Sequence, residues 1–377
     1  MIMPVYELRV FAGRLGRAIA VPLMAAGLVT GLAPVAGAAA VPCVGMSGQR
    51  LPDGFTDGIA VLSPCNIWAA QIPGPGVPGI SHWDGTTWTA AQLPSVPGGA
   101  NFAAIDAFTA TDIWAAGSTS SPAGTPDQTL IEHWDGSSWR VSPEQRPAGG
   151  FDRLAAVTAT SPTNAWAVGY SMPSGDPAGP EQGVIEHWNG SIWTRLPAVP
   201  TTGDQSALLG MAVGSPSSAW AVGQTITTSP RQEHGLVLHW NGSSWSQQSI
   251  PANVTILSGV TAVSAKNAWA VGRTGTTKAN RAPVILHWDG SSWQTVSTPS
   301  VPRAELFAVT ATSASDAWAV GGRPGLVEHW DGTSWTMVPM SAGVSVLRAV
   351  AASAPGNVWA VGGDADSHEL ALRLEAG

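Results

Sequence analysis

The chain has 377 residues, including 44 Gly, 30 Pro and 19 Trp; 44% are hydrophobic and only 11% charged. That balance excludes the polar, highly charged composition of a disordered chain. It suits one large all-β domain of short strands joined by Gly/Pro turns. A formal net charge of −8 leaves no basic footprint for a phosphate backbone, so no nucleic-acid partner is expected.

The chain opens on a targeting segment. Arg9, Arg14 and Arg17 precede an apolar run from Ala18 to Val35 that is broken by Pro22, Gly27, Gly31 and Pro34. Ala36-Gly37-Ala38 and Ala38-Ala39-Ala40 are small-residue cleavage sites, which predicts a signal peptide over 1–40 removed after Ala38 or Ala40. Val41-Pro42-Cys43 lacks the lipobox pattern, and no later stretch is long and apolar enough to span a bilayer. A secreted domain over 41–377 with no membrane span is expected. Its two cysteines, Cys43 and Cys65, read as a disulfide in an exported chain.

From there one repeat organises the sequence. Trp-Ala recurs seven times, at Trp68, Trp114, Trp166, Trp220, Trp269, Trp318 and Trp359. Two residues before each Trp stands a turn former: Asn66, Asp112, Asn164, Ser218, Asn267, Asp316 or Asn357. Nine before, the residue is aliphatic (Ile59, Ile105, Val157, Met211, Val260, Val309, Val350), and ten before it is Gly or Ala. Three after stands Gly in six copies and Gln71 in the first. A second motif, His-Trp-Asp/Asn-Gly-x-x-Trp, begins at His82, His133, His187, His239, His287 and His329, and the two motifs together absorb all 19 tryptophans.

The third copy shows the predicted elements most plainly. Leu154 to Thr160 reads as a strand, Ser161 to Asn164 as a turn, and Ala165 to Val168 as a second strand ended by Gly169. Val184 to Trp188 is a third strand, Asn189-Gly190 a two-residue type I′ hairpin signal, and Ser191 to Leu196 a fourth strand. Four antiparallel strands in about fifty residues make a propeller blade. Seven blades follow, over 56–94, 101–144, 153–199, 207–251, 257–299, 305–340 and 347–377, the last joined by 44–51.

In this pattern the chain resembles the kelch repeat. Trp318-Ala-Val-Gly321-Gly322 stands where that family ends its second strand in Gly-Gly, and Val327-Glu-His-Trp330-Asp-Gly-Thr-Ser-Trp335 is similar to its third and fourth strands with a shorter hairpin. The resemblance covers nearly all of the mature chain. It implies a kelch or galactose-oxidase-type propeller and carries no activity with it.

The seventh copy has two strands and a third over Leu370 to Leu374, and then the chain stops. Val44 to Leu51 ends in Arg-Leu-Pro like the outer strand at Arg195-Leu196-Pro197. It is expected to complete the last blade and so close the ring without a free sheet edge. A bond from Cys43 to Cys65, in the first blade's tight turn, would hold this strand with about 3 kcal/mol.

The six histidines of the His-Trp motif lie on third strands, each at least ~10 Å out from the innermost strand. They cannot converge on one metal with bonds of about 2 Å, so each is expected to hydrogen-bond within its own blade. The tryptophans fall where kelch aromatics pack blade on blade, and burying each is worth ~4–6 kcal/mol. Tyr170 is the one tyrosine of the mature chain, which excludes a Tyr-based sialidase or copper-radical site. No metal or cofactor is expected. Asn189 and Asn241 open Asn-Gly-Ser sequons that the turn already explains.

Residues that break the repeat are the candidates for function. Asp106 interrupts an innermost-strand column otherwise made of Ala60, Thr158, Ala212, Thr261, Thr310 and Ala351. It could serve a ligand in the channel or hydrogen-bond its neighbours. Asp57, Asn101, Arg153, Glu305 and Arg348 stand where the chain enters innermost strands. Long, unlike loops over Ser118 to Gln128, Tyr170 to Gln182, Gln224 to Glu233 and Arg273 to Arg281 open on the same face. The expected function is an extracellular, monomeric recognition module for a glycan, peptide or surface partner on that face. A polysaccharide hydrolase or lyase using carboxylates at the channel mouth is the alternative, and a structural envelope protein the third.

Overall fold

The computed structural model describes residues 49–375 apart from 53, 73–78, 120–125, 146–149, 174–178, 198, 300, 323 and 341–342. The chain divides into Met1–Pro42 and Cys43–Gly377. The expected signal peptide, residues 44–48 of the expected closing strand, and Cys43 with its pairing to Cys65 lie outside the described residues. Every regular element among the described residues is a strand, and no helix there is long and apolar enough to cross a membrane.

Each repeat folds as an antiparallel meander. In the first, Phe55–Ser63, Asn66–Ile72, Ile80–Trp83 and Trp88–Ala90 form one four-stranded sheet. The second, fourth and fifth repeats do the same. In the third, Glu144–Gln145 adds a fifth strand, parallel to Trp193–Arg195. The sixth and seventh repeats join into one eight-stranded sheet through the single pair Gly322 and Val346, and Gln49–Arg50 lies at its edge, antiparallel to Glu369–Leu374.

The first strands touch in succession: Phe55–Ser63, Ala100–Thr109, Phe151–Ser161, Gln205–Ser215, Val254–Ser264, Glu305–Ser313 and Val344–Ala354, with the last also against the first. A Cβ at Gly58 would stand 3.0 Å from the backbone nitrogen of Ile105, and one at Gly259 2.9 Å from the Cα of Ala308. Neighbouring first strands therefore meet backbone to backbone, which is why the position ten before each Trp tolerates only Gly or Ala.

Between successive repeats lies one hydrophobic cluster each. Trp220 belongs to the cluster of repeats four and five with Leu257, Val260, Leu286 and Trp293. Its ring centroid is 4.9 Å from that of Trp288 and 5.0 Å from that of Trp293. Trp68, Trp114, Trp166 and Trp269 meet the Trp pair of the next repeat in the same way. The seventh repeat lacks that pair, and Trp318 packs instead among Leu347, Leu372 and Leu374. Trp359 clusters with Leu51, Ile67 and Trp83. All seven tryptophans are almost wholly buried.

Two sequence expectations are corrected. The Asn189-Gly190 connection is not a two-residue type I′ turn: Trp188 pairs with Trp193, leaving four residues between, and only Gly190 has positive φ. Asn189 Oδ1 instead accepts hydrogen bonds from the N–H groups of Ser191 and Ile192 and the Ser191 hydroxyl. Asp84, Asp135, Asn241, Asp289 and Asp331 repeat this arrangement, which explains why the motif reads Asp/Asn-Gly-Ser/Thr. These bonds hold the Asp84, Asp289 and Asp331 carboxyls down to about 2. Second, Gln224 to Glu233 is no loop. The ladder of the fourth repeat runs on from Gln224 opposite Gly235 to Thr228 opposite Arg231, as the β-branched run Thr225 to Thr228 favours.

Candidate functional site

The second motif builds structure. Each of the six histidines places Nε2 within 2.6–3.1 Å of the turn former of its own repeat: Asn66, Asp112, Asn164, Ser218, Asn267 and Asp316. Each ring also lies 4.1–4.2 Å, centroid to centroid, from the second-strand Trp. Burial lowers the pKa of His82, His187, His239 and His287. An imidazole hydrogen-bonded at one nitrogen and set against an indole suits a packing role.

On the first strands the register decides what faces the central space. Every one carries a shift in which one residue is left over against the second strand, eleven positions before the Trp. In chain order these residues are Asp57, Ala103, Ala155, Leu209, Ser258, Phe307 and Arg348. A bulge bends the strand and re-aims its extra side chain. It also explains the Gly three after the Trp: a Cβ at Gly117 or Gly169 would overlap the carbonyl oxygen of Asn101 or Arg153 across the bulge.

Five of the seven bulged residues, Asp57, Leu209, Ser258, Phe307 and Arg348, line one cavity of about 740 Å³ together with Lys278, Arg281, Arg303 and Glu305. Four cations face two carboxylates there. Glu305 is held by Arg273 at 3.0 Å and Arg281 at 3.5 Å. Arg348 pairs with buried Glu369 at 3.0 Å, has Asp57 3.9 Å away, and lies over the exposed Phe55 ring at 5.3 Å. Burial pushes the Asp57 carboxyl up against the opposing pull of Arg348.

The six candidates from the sequence thus separate. Asp57, Glu305 and Arg348 come together at this mouth, whereas Asn101, Arg153 and Asp106 are not part of its lining. Asn101 pairs with Ser118 in its ladder, and Arg153 binds Asp127 at 3.1 Å. Asp106 lies deeper, in a cavity of about 320 Å³ to which all seven first strands contribute. Its Oδ2 accepts the Ala159 N–H at 2.9 Å, and burial raises its pKa. It satisfies the inner edge of the next first strand. Leu209, Ser258, Phe307 and Arg303 had no individual signal; the first three share only their offset from the Trp.

Two outer grooves, of about 500 and 560 Å³, are lined by residues of repeats three to five. In the first, Arg195 pairs with Asp152 at 3.2 Å and with Glu186 at 2.9 Å, and the Asp204 carboxylate accepts the Thr228 N–H and hydroxyl. Among the described residues Asp364, Asp366 and His368 could together reach a metal. Asp364 Oδ1, however, accepts the N–H groups of Asp366 and His368, and its Oδ2 lies 3.1 Å from His368 Nδ1. The turn itself accounts for that group.

Successive antiparallel meanders of mostly four strands, each packed on the next, define a β-propeller. Comparison with solved structures agrees. The chain is similar to YCF48 bound to D1 peptide (13% identity, 87% of this chain and 94% of that chain, TM-score 0.58). It is likewise similar to the WD40 beta propeller domain of Doa1 (10%, 87% and 96%, 0.56) and to U3-55K (11%, 87% and 98%, 0.57). At these identities the likeness shows the propeller fold and does not single out the kelch repeat. No protein-family model and no curated protein sequence matches the chain.

Proposed function

We propose that this chain is an exported recognition module, a closed ring of seven kelch-like blades that binds a peptide segment of a partner protein at the mouth of its central space. The observation that carries the reading is the bulge repeated on every first strand. It lifts one residue per repeat out of the packing and directs five of the seven into one cavity. Loop-borne Lys278, Arg281 and Arg303 complete that cavity, and a rigid scaffold with variable positions at one mouth is a binding architecture. That a propeller of similar fold has been seen bound to a peptide supports a peptide occupant. The ring reading rests on Trp359 packing against Trp83 and Ile67 and on Gln49–Arg50 pairing with the last strand.

Binding is favoured over hydrolysis because the two mouth carboxylates are both engaged with arginines. A hydrolase needs a pair free to exchange protons and set at catalytic spacing. Screening the exported protein against peptide and glycan arrays tests the reading. Hits should vanish in Ser258→Trp, which fills the mouth, and persist in Thr336→Trp on an exposed outer strand. Hits that survive Ser258→Trp would move the binding surface elsewhere. Intact mass of the same preparation should show a start at Ala39 or Val41 and two hydrogens fewer than the reduced form, as a Cys43–Cys65 bond requires.

A further inference from the structure

We propose that the occupant of the mouth is an acidic peptide segment, anchored through its carboxylates by Arg303 and Lys278 with an apolar side chain seated against Leu209 and Phe307. This rests on the mouth being the recognition surface and adds the chemistry of what it recognises. The chain as a whole is acidic, at −8, yet four cations and two carboxylates line this cavity. Pairing them off leaves an excess. Arg281 shares Glu305 with Arg273, and Arg348 is taken by Glu369 and Asp57. Lys278 and Arg303 are exposed and make no ion pair or side-chain hydrogen bond among the described residues. Two uncommitted cations at the rim of a concave site, in a protein of opposite overall sign, select an anion by local field rather than net charge.

Arg303 is also held in place at a cost. Its φ is 67°, a left-handed conformation that, among the described residues, only Ser367 shares outside glycine. Its N–H donates to the Arg281 carbonyl at 2.9 Å, fixing the backbone from which the side chain leaves. Glycine would occupy that conformation without strain, so an Arg there stands against the local backbone preference. A guanidinium suits a carboxylate because it can donate two parallel hydrogen bonds to it.

The rest of the lining separates an acidic peptide from an acidic polysaccharide. Sugar rings are recognised by stacking on flat aromatic faces, and this lining offers a single aromatic side chain, the half-buried Phe307, and no Trp. The apolar surface it offers is instead Leu209 and Phe307, both half-buried, and Val346. A chain that alternates acidic and apolar side chains matches cations interleaved with such a floor.

The test uses the exported full-length protein and a positional library of short fluorescein-labelled Glu/Asp peptides, each carrying one Leu or Phe. The amide counterparts and polygalacturonate serve as competing probes. Fluorescence anisotropy should show the acidic peptides binding about tenfold tighter than their Gln/Asn counterparts. Raising salt should weaken them, since rim charges are screened beyond about 8 Å at physiological ionic strength. Lys278→Ala and Arg303→Gly should each remove most of that preference. Arg303→Gly should do so with its melting temperature unchanged or raised, which a merely structural Arg303 would not allow. If amide peptides bind as tightly and Ser258→Trp still abolishes binding, the mouth reading stands and the acidic anchor falls. Polygalacturonate displacing every peptide hit would overturn the proposal in favour of an acidic glycan. Failure of the whole library to bind would overturn it outright.

Discussion

Two columns of the same strand, two residues apart, obey opposite rules. Nine positions before each Trp the residue is always aliphatic, from Ile59 to Val350; eleven before it is Asp57, Ala103, Ala155, Leu209, Ser258, Phe307 or Arg348. Each residue of the first column sits in the hydrophobic cluster between its own repeat and a neighbour, and all seven border the cavity shared by the first strands, so each has the same surroundings to satisfy. The second is thrown out of the ladder by a bulge and meets no repeated partner. Packing demands uniformity where every repeat presents the same surface to the next. A bulge releases one position per repeat from that demand, and chemistry can vary there without disturbing the fold.

The contrast is broken most severely on the packing side. Trp220→Ala empties a site between repeats four and five that is closed to solvent. It should cost ~3–5 kcal/mol through lost burial and a residual cavity. Urea denaturation followed by Trp fluorescence should show one cooperative transition moved to lower denaturant. A Trp220→Ala protein as stable as wild type would contradict the wedge role.

The buried glutamates sharpen the comparison through pH. Glu132, Glu186 and Glu328 stand just before the third-strand His, each fully buried. Arg195 meets Glu186, and the Thr298 hydroxyl meets Glu328. Neither carboxyl oxygen of Glu132 has a hydrogen-bond partner among the described residues. Burial pushes Glu132 and Glu328 up to about 7. The folded state therefore holds protons that the unfolded chain, with an ordinary carboxyl value of 4.5, has already released. Stability from these groups is complete below that value and is lost as pH rises to about 7. Glu132→Gln should flatten that slope, leaving melting near pH 4.5 little changed and stabilising the fold at pH 8 by about 1–3 kcal/mol. Melting curves of variant and wild type that stay parallel from pH 5 to 8 would remove the assignment.

The smallest effect belongs to the axial carboxylate. Asp106→Ala deprives the Ala159 N–H of its acceptor and should lower stability by about 1 kcal/mol, with the proposed binding at the Arg303 cavity unchanged. Binding lost at constant stability would instead return Asp106 to the functional surface.

Much of this architecture could be read from residue offsets alone. The spacing of Trp, turn former, Gly and His-Trp motif marks seven meanders, and the Trp burial follows from side-chain chemistry. The Asp-Gly-Ser turns were visible as turns, though their geometry was not, because an Asp or Asn side chain can close a four-residue loop as readily as a two-residue one. The outer strand Glu144–Gln145, laid parallel on the third repeat, left no mark in the sequence, since two residues carry no period.

What the amino-acid sequence determined by itself is the repeat and the material of the interfaces, because burying Trp, Ile and Val is a local preference that each copy states again. What only the tertiary structure decided is which variable residues meet. Asp57, Arg153, Glu305 and Arg348 look alike along the chain, yet Asp57 and Arg348 are bulged residues, while Arg153 and Glu305 sit two positions earlier in the ladder. A bulge is a property of pairing between two strands, set by the registers of both, and a one-residue change in register sends a side chain to the other face. The mouth that gathers Arg303, Lys278, Leu209 and Phe307 exists only once the first strands have been brought side by side.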